Sequence, residues 1–204
     1  MFVAVEGPTG VGKTTLAARL AIALDSIAVF DPFNENPFLP RLLTAESADG
    51  PLALRVELTF LALRVAQLRE VEWMLSLGHD VVADWALLKQ SIFAATTLSP
   101  EDAARVAATV ATWADSVPHP DVLIGMSAAT AIIRQRVFQR GRHMESNLTD
   151  AEIDALSAAF ETAYESWDAS LIRIDATTFD TLTDHDIDEL AAWVRQLSIR
   201  RETR

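Results

Sequence analysis

Short apolar runs alternate with longer amphipathic stretches along the whole chain. Phe2-Val3-Ala4-Val5, Ile27-Ala28-Val29-Phe30, Val81-Val82-Ala83, Val122-Leu123-Ile124 and Leu171-Ile172-Arg173-Ile174 are brief, apolar and closed by turn-forming residues. Runs of that kind predict strands buried on both faces. Between them, apolar positions recur every three or four residues, the spacing of one helix face. Helices are expected over Leu16–Leu24, 41–45, 52–77, 87–95, 101–114, 128–139 and 148–167, with a last one ending near Leu197. In the longest, Leu54, Leu58, Leu61, Val65, Leu68, Val71 and Leu75 form the stripe; Arg55, Glu57 and Arg64 fall off it and are expected to be solvated or lid-facing. Ser99-Pro100-Glu101-Asp102 supplies an N-cap and a first-turn proline, Thr149 or Asp150 caps the 148–167 helix, and Gly78 closes the long one. Five strand–helix alternations predict an α/β fold, a five-stranded parallel sheet with helices on both faces.

The first strand runs directly into Gly7-Pro8-Thr9-Gly10-Val11-Gly12-Lys13-Thr14, which fits G-x-x-x-x-G-K-[ST] between a strand and a helix. Glycines let successive backbone N–H groups face one anion, and the helix N-terminus adds partial positive charge. Gly7, Thr9, Gly10, Val11, Gly12, Lys13, Thr14 and Thr15 are therefore the candidate ATP-binding residues, with Lys13 reaching the β- and γ-phosphates and Thr14 offering its hydroxyl to Mg²⁺.

Composition narrows the partners. A chain of 204 residues, half of them apolar and without a linker-like stretch, reads as one domain over 1–204. Its net charge of −12 disfavours a nucleic-acid partner, because neutralising a phosphate polymer requires a basic surface. Without cysteine there is no disulfide framework and no thiol-based metal site. A start without the basic and apolar regions of a leader, and no long charge-free apolar run, set the expectation of a soluble cytoplasmic protein without a membrane partner.

Two acids stand where strands end. Asp31 follows the second strand and Asp84 the third, and in open α/β sheets ligands meet the chain just beyond strand C-termini. Beside a phosphate loop they suggest a base for an acceptor and a metal ligand, although Asp31 before Pro32 also reads as a plain turn residue. The few cations gather at Lys13 and between Arg134 and Arg142. Arg136, Arg140, Gly141 and Arg142 read either as a basic helix end favoured by the dipole or as a lid over about 139–147 whose guanidinium groups close over phosphates. The acidity of the rest of the chain and the Arg-Gly-Arg turn favour the lid.

Together the phosphate loop, Asn34-Glu35-Asn36-Pro37-Phe38-Leu39, Val82-Ala83-Asp84-Trp85 running to Ile92-Phe93-Ala94, and Arg136 through Arg140-Gly141-Arg142 to Glu145 resemble the deoxynucleoside kinase family over residues 1–175, nearest its bacterial deoxyguanosine kinase branch. The resemblance implies a P-loop kinase fold and transfer of the ATP γ-phosphate to the 5′-hydroxyl of a deoxynucleoside, with Mg²⁺, in a homodimer paired through the long helix. It implies catalytic roles for Lys13, Asp31, Asp84, Arg136, Arg140 and Arg142, metal binding by Thr14 and Asp84, and a substrate pocket containing Asp31, Leu43, Arg55, Asp84, Trp85, Gln90 and Glu145. The family's glutamate base corresponds to Asp31, its 3′-hydroxyl tyrosine to Leu43, its base-reading glutamine to Arg55, and the arginine after its third strand to Trp85. Arg55, a donor, suits the acceptor edge of guanine and Gln90 restores an acceptor, so the pocket leans to purines.

Two other readings fit the same motifs. A nucleoside monophosphate kinase of thymidylate type shares sheet, loop and lid but needs arginines for the acceptor's phosphate, which Arg41, Arg55 or Arg64 would supply. A non-catalytic nucleotide-binding subunit keeps the loop and loses acceptor chemistry, consistent with the changes at Asp31, Leu43, Arg55 and Trp85.

Overall fold

The computed structural model describes residues 1–44, 50–140, 149–167 and 170–202. Five parallel strands, β1 (Phe2–Glu6), β2 (Ile27–Val29), β3 (Val81–Ala83), β4 (Val122–Ser127) and β5 (Ser170–Asp175), lie in the order β2-β3-β1-β4-β5. The chain leaves β1, builds β2 and β3 on one side, then crosses to build β4 and β5 on the other. The crevice beyond the C-terminal end of β1 therefore sits at the topological switch point, where ligands bind open α/β sheets.

Alternation along each strand divides the core. Val3, Val5, Val82, Ile124 and Met126 face α1 (Lys13–Leu24) and α8 (Asp184–Glu202), meeting Leu16, Leu20, Leu190 and Val194. Phe2, Ala4, Ala83 and Leu123 face α3 (Gly50–Ser76), α4 (Leu88–Thr97), α5 (Pro100–Ala114) and α7 (Asp150–Glu165), meeting Leu61, Ile92, Val106 and Phe160. Two shorter helices complete the layers: α2 (Leu39–Thr44), whose Leu39 packs on Val56 and Phe60, and α6 (Thr130–Arg140), whose Ile133 and Val137 pack on Ile153.

The expected caps form. Ser99 accepts from the Asp102 N–H with Pro100 in the first turn, and Thr149 and Glu152 make a reciprocal capping box. Helix α3 departs from its predicted stripe in two ways. Leu58 is 47% exposed, whereas Glu57 and Arg64 are each 3% exposed. Both charged residues were expected on the open side; α4 covers that side, and each finds polar partners there.

Candidate active site

The loop from Gly7 to Gly12 turns because its glycines take backbone angles that other residues avoid, with φ of 152° at Gly7, 84° at Gly10 and 111° at Gly12. A β-carbon at Gly7 would lie 2.5 Å from the Met126 carbonyl oxygen, so β4 walls the loop closely. Val11 fills the core beneath, while Thr14 and Thr15 are exposed on the first turn of α1. The Lys13 ammonium donates to the carbonyls of Gly7 (2.7 Å) and Pro8 (3.0 Å), folded back along the loop. Burial, reinforced by repulsion from Lys89, pulls its pKa down to about 8 against the attraction of Glu6, Asp84 and Asp31.

Two strand ends meet this loop. The Thr14 hydroxyl donates to Asp84 Oδ2 at 2.5 Å, and Asp84 Oδ1 accepts the backbone N–H of Asp31 at 2.7 Å. One carboxylate thus joins the helix that begins at the phosphate loop to the chain leaving β2. Asp31 itself is clamped: Arg64 donates Nε to Oδ1 and Nη2 to Oδ2, each at 3.1 Å, and Lys89 Nζ donates to Oδ2 at 2.7 Å. Burial alone would raise the Asp31 pKa; Lys89 and Arg64 outweigh it and hold the carboxyl well below the usual carboxylate range.

A buried polar relay continues from there. Arg64 Nη1 donates to Gln90 Oε1 (2.6 Å), Gln90 Nε2 donates to Glu57 Oε2 (2.7 Å), and the Thr97 hydroxyl donates to Glu57 Oε1 (3.0 Å). The Arg64 guanidinium carbon lies 4.6 Å from the Phe60 ring centre and 5.9 Å from that of Trp85. Burial raises the Glu57 pKa despite its hydrogen bonds.

Of the residues singled out from the sequence, the fold brings Lys13, Thr14, Asp31, Asp84 and Gln90 to this one region. Arg136 approaches from α6, donating Nη1 to the Val11 carbonyl and Nη2 to the Ala176 carbonyl. Trp85 is 1% exposed in the core, and its indole N–H finds no acceptor among the described residues. Arg55 is exposed; the arginine beside Gln90 is Arg64. Arg142 and Glu145, with most of the predicted lid, lie outside the described residues, as do the side chains of Leu43 and Arg140.

Glu6 and Lys89 escaped the sequence reading as functional candidates, and Arg64 entered it only as an arginine for the acceptor's phosphate in the monophosphate-kinase alternative. Each had a signal. Glu6 is an acid closing an apolar strand run just before the glycine loop, Lys89 stands four residues after Trp85 at the start of the next helix, and Arg64 lies on the helix that had to cover the sheet.

The Thr14 hydroxyl and Asp84 carboxylate are hard oxygen donors of the kind Mg²⁺ takes, with its remaining positions left to waters and phosphates. Among the described residues no group of three or more acidic or imidazole side chains gathers to enclose an ion by protein alone. A two-oxygen site therefore fits a nucleotide-borne Mg²⁺.

Known proteins resemble this chain in sequence and in fold. Residues 3–197 match the deoxynucleoside kinase family model. Deoxyguanosine kinase of Bacillus subtilis (strain 168) is 27% identical over 205 residues, covering 97% of this chain and 98% of that protein. Thymidylate kinase of Xylella fastidiosa (strain 9a5c) is 30% identical over a shorter span of 146 residues, 69% of this chain and 67% of that protein. Among solved structures, deoxyadenosine kinase from M. mycoides with bound dATP shares the fold with a TM-score of 0.79 at 19% identity, covering 96% of this chain and all of that one.

Proposed function

Because the chain belongs to the deoxynucleoside kinase family, we propose that it transfers the γ-phosphate of Mg²⁺-bound ATP in line to the 5′-hydroxyl of a deoxynucleoside. The observation that carries this reading is the bridge from Thr14 through Asp84 to Asp31, which sets a phosphate site and an acceptor-side acid against each other.

Loop amides from Gly7 to Lys13 hold the donor phosphates, and the Lys13 ammonium leaves the Gly7 and Pro8 carbonyls to reach the β- and γ-oxygens. Thr14 and Asp84 would hold Mg²⁺, which when bound would neutralise phosphate charge. Asp31 accepts the proton of the 5′-hydroxyl as the new P–O bond forms and the bond from the γ-phosphorus to the ADP oxygen breaks. Its low pKa makes it a base only when the acceptor hydroxyl displaces part of the Arg64 and Lys89 clamp. Arg136, with Arg140 and Arg142 from the lid, stabilises charge on the moving group.

The Arg64–Gln90–Glu57 relay favours the nucleoside over a monophosphate as acceptor. Arg64 already has a carboxylate partner in Asp31 and an amide partner in Gln90, so an acceptor phosphate would have to compete with both. The similarity to a deoxyguanosine kinase supports a purine nucleoside. Exposed Leu58 and Trp73 on α3 and Trp113 on α5 support pairing of two copies along the long helix. Among the described residues no helix is long and apolar enough to cross a membrane, in keeping with action in the cytoplasm.

Asp84→Asn tests the assignment. The variant is expected to lose roughly 100-fold or more in kcat and to need more Mg²⁺, with the nucleoside KM changing far less. Wild-type turnover at the wild-type Mg²⁺ requirement would remove Asp84 from the mechanism.

A further inference from the structure

Glu6 is fully buried, and the mechanism above gives it no part. Side chains alternate along β1, so Glu6 points to the same face as Phe2 and Ala4, toward α3, α4 and α7. A carboxylate in such a place is retained only where partners hold it. Its Oε1 accepts the Ala86 N–H at 2.7 Å and its Oε2 the Gly7 N–H at 3.2 Å. Gly7 opens the phosphate loop, and its carbonyl is one of the two that receive Lys13. Ala86 lies between Asp84 and α4, and its own carbonyl accepts the N–H of Lys89 in that helix's first turn. The same carboxylate acts electrostatically on both Lys13 and Lys89, two ammonium groups that repel each other.

We propose that Glu6 is a positioning residue, whose carboxylate fastens the phosphate loop to the β3–α4 connection and so fixes the spacing between the donor-side Lys13 and the acceptor-side Lys89–Asp31 clamp. Both oxygens must accept, because both face backbone N–H groups. Glutamine in either orientation would turn its NH₂ toward one of those donors, losing one tether as well as the charge. The inference rests on the kinase reading and adds to it a residue that touches neither substrate.

A double-mutant cycle separates this role from mere support of the fold. Wild type, Glu6→Gln, Lys89→Met and the double variant are compared for kcat, ATP affinity and melting temperature. Glu6→Gln is expected to lower kcat roughly 10- to 100-fold in the wild-type background while ATP affinity stays within about threefold. In the Lys89→Met background the same change is expected to cost less than about threefold, because the spacing it sets no longer matters. Should Glu6→Gln melt below the assay temperature, Glu6→Asp carries the same cycle, keeping both acceptors on an arm one methylene shorter. An unchanged kcat, or an equal fall in both backgrounds, would overturn the proposal. A wild-type enzyme that transfers no phosphate would instead sink the kinase reading, and this inference with it.

Discussion

Asp31 shows at the scale of one residue how much the surroundings decide. From the sequence it is an acid after a strand; in the fold it accepts three hydrogen bonds from two cations. The sign of the resulting pH dependence follows from linkage. The folded pKa lies below the unfolded value near 3.8, so the clamp contributes its full stability above about pH 4 and loses it as pH falls through the folded pKa. Asp31→Asn should therefore flatten the acid limb of the stability curve, as read by denaturant titration between about pH 2 and 6; an acid limb as steep as that of the wild type would contradict the clamp. Removing a partner is more damaging. Arg64→Met leaves buried Asp31 with Lys89 as its remaining cation and Gln90 Oε1 without its donor, and is expected to cost about 3–5 kcal/mol in urea unfolding. A loss below about 1 kcal/mol would mean that Arg64 behaves as an exposed charge. Lys13→Ala, by contrast, removes a group whose hydrogen bonds among the described residues go to loop carbonyls. It should abolish turnover and leave the melting temperature nearly unchanged. Residue identity made Lys13, Thr14, Asp31 and Asp84 legible in the chain. Arg64 and Glu57 were not, because helical periodicity reports which side is apolar and says nothing of a second element covering the polar side.

Among the elements, β4 walls the loop and α7 packs against β4. Gly125 stands beside Glu6 in the β1–β4 register, and a β-carbon there would lie 2.9 Å from the Tyr164 ring. Gly125→Ala must push α7 outward or strain the strand, at an expected cost of about 1–3 kcal/mol in chemical denaturation. Wild-type stability in that variant would show that α7 gives way freely. Element positions were legible wherever a pattern met a stop signal: the apolar runs gave all five strands, and Ser99 and Thr149 marked two helix starts. Strand order was not legible. Short apolar runs of similar composition carry no record of their neighbours, and the placement of β1 between β3 and β4 comes from packing of the crossover helices.

Across the whole molecule the net charge is −12, and at the site the cations Lys13, Lys89, Arg64 and Arg136 stand beside the carboxylates of Glu6, Asp31, Glu57 and Asp84. The overall charge opposes a phosphate polymer spread over the surface, while the loop's backbone N–H groups and Lys13 suit a small anion bound at one place. The most direct measurement incubates the purified protein with Mg²⁺ and γ-labelled ATP against deoxyguanosine, deoxyadenosine, deoxycytidine and thymidine, with their monophosphates in parallel, and separates the products. The account predicts label on the 5′-position of a nucleoside, fastest with a purine. Label on monophosphates alone would contradict it and move the chain's activity to the thymidylate kinase type, and no transfer despite ATP binding would leave a nucleotide-binding subunit without acceptor chemistry.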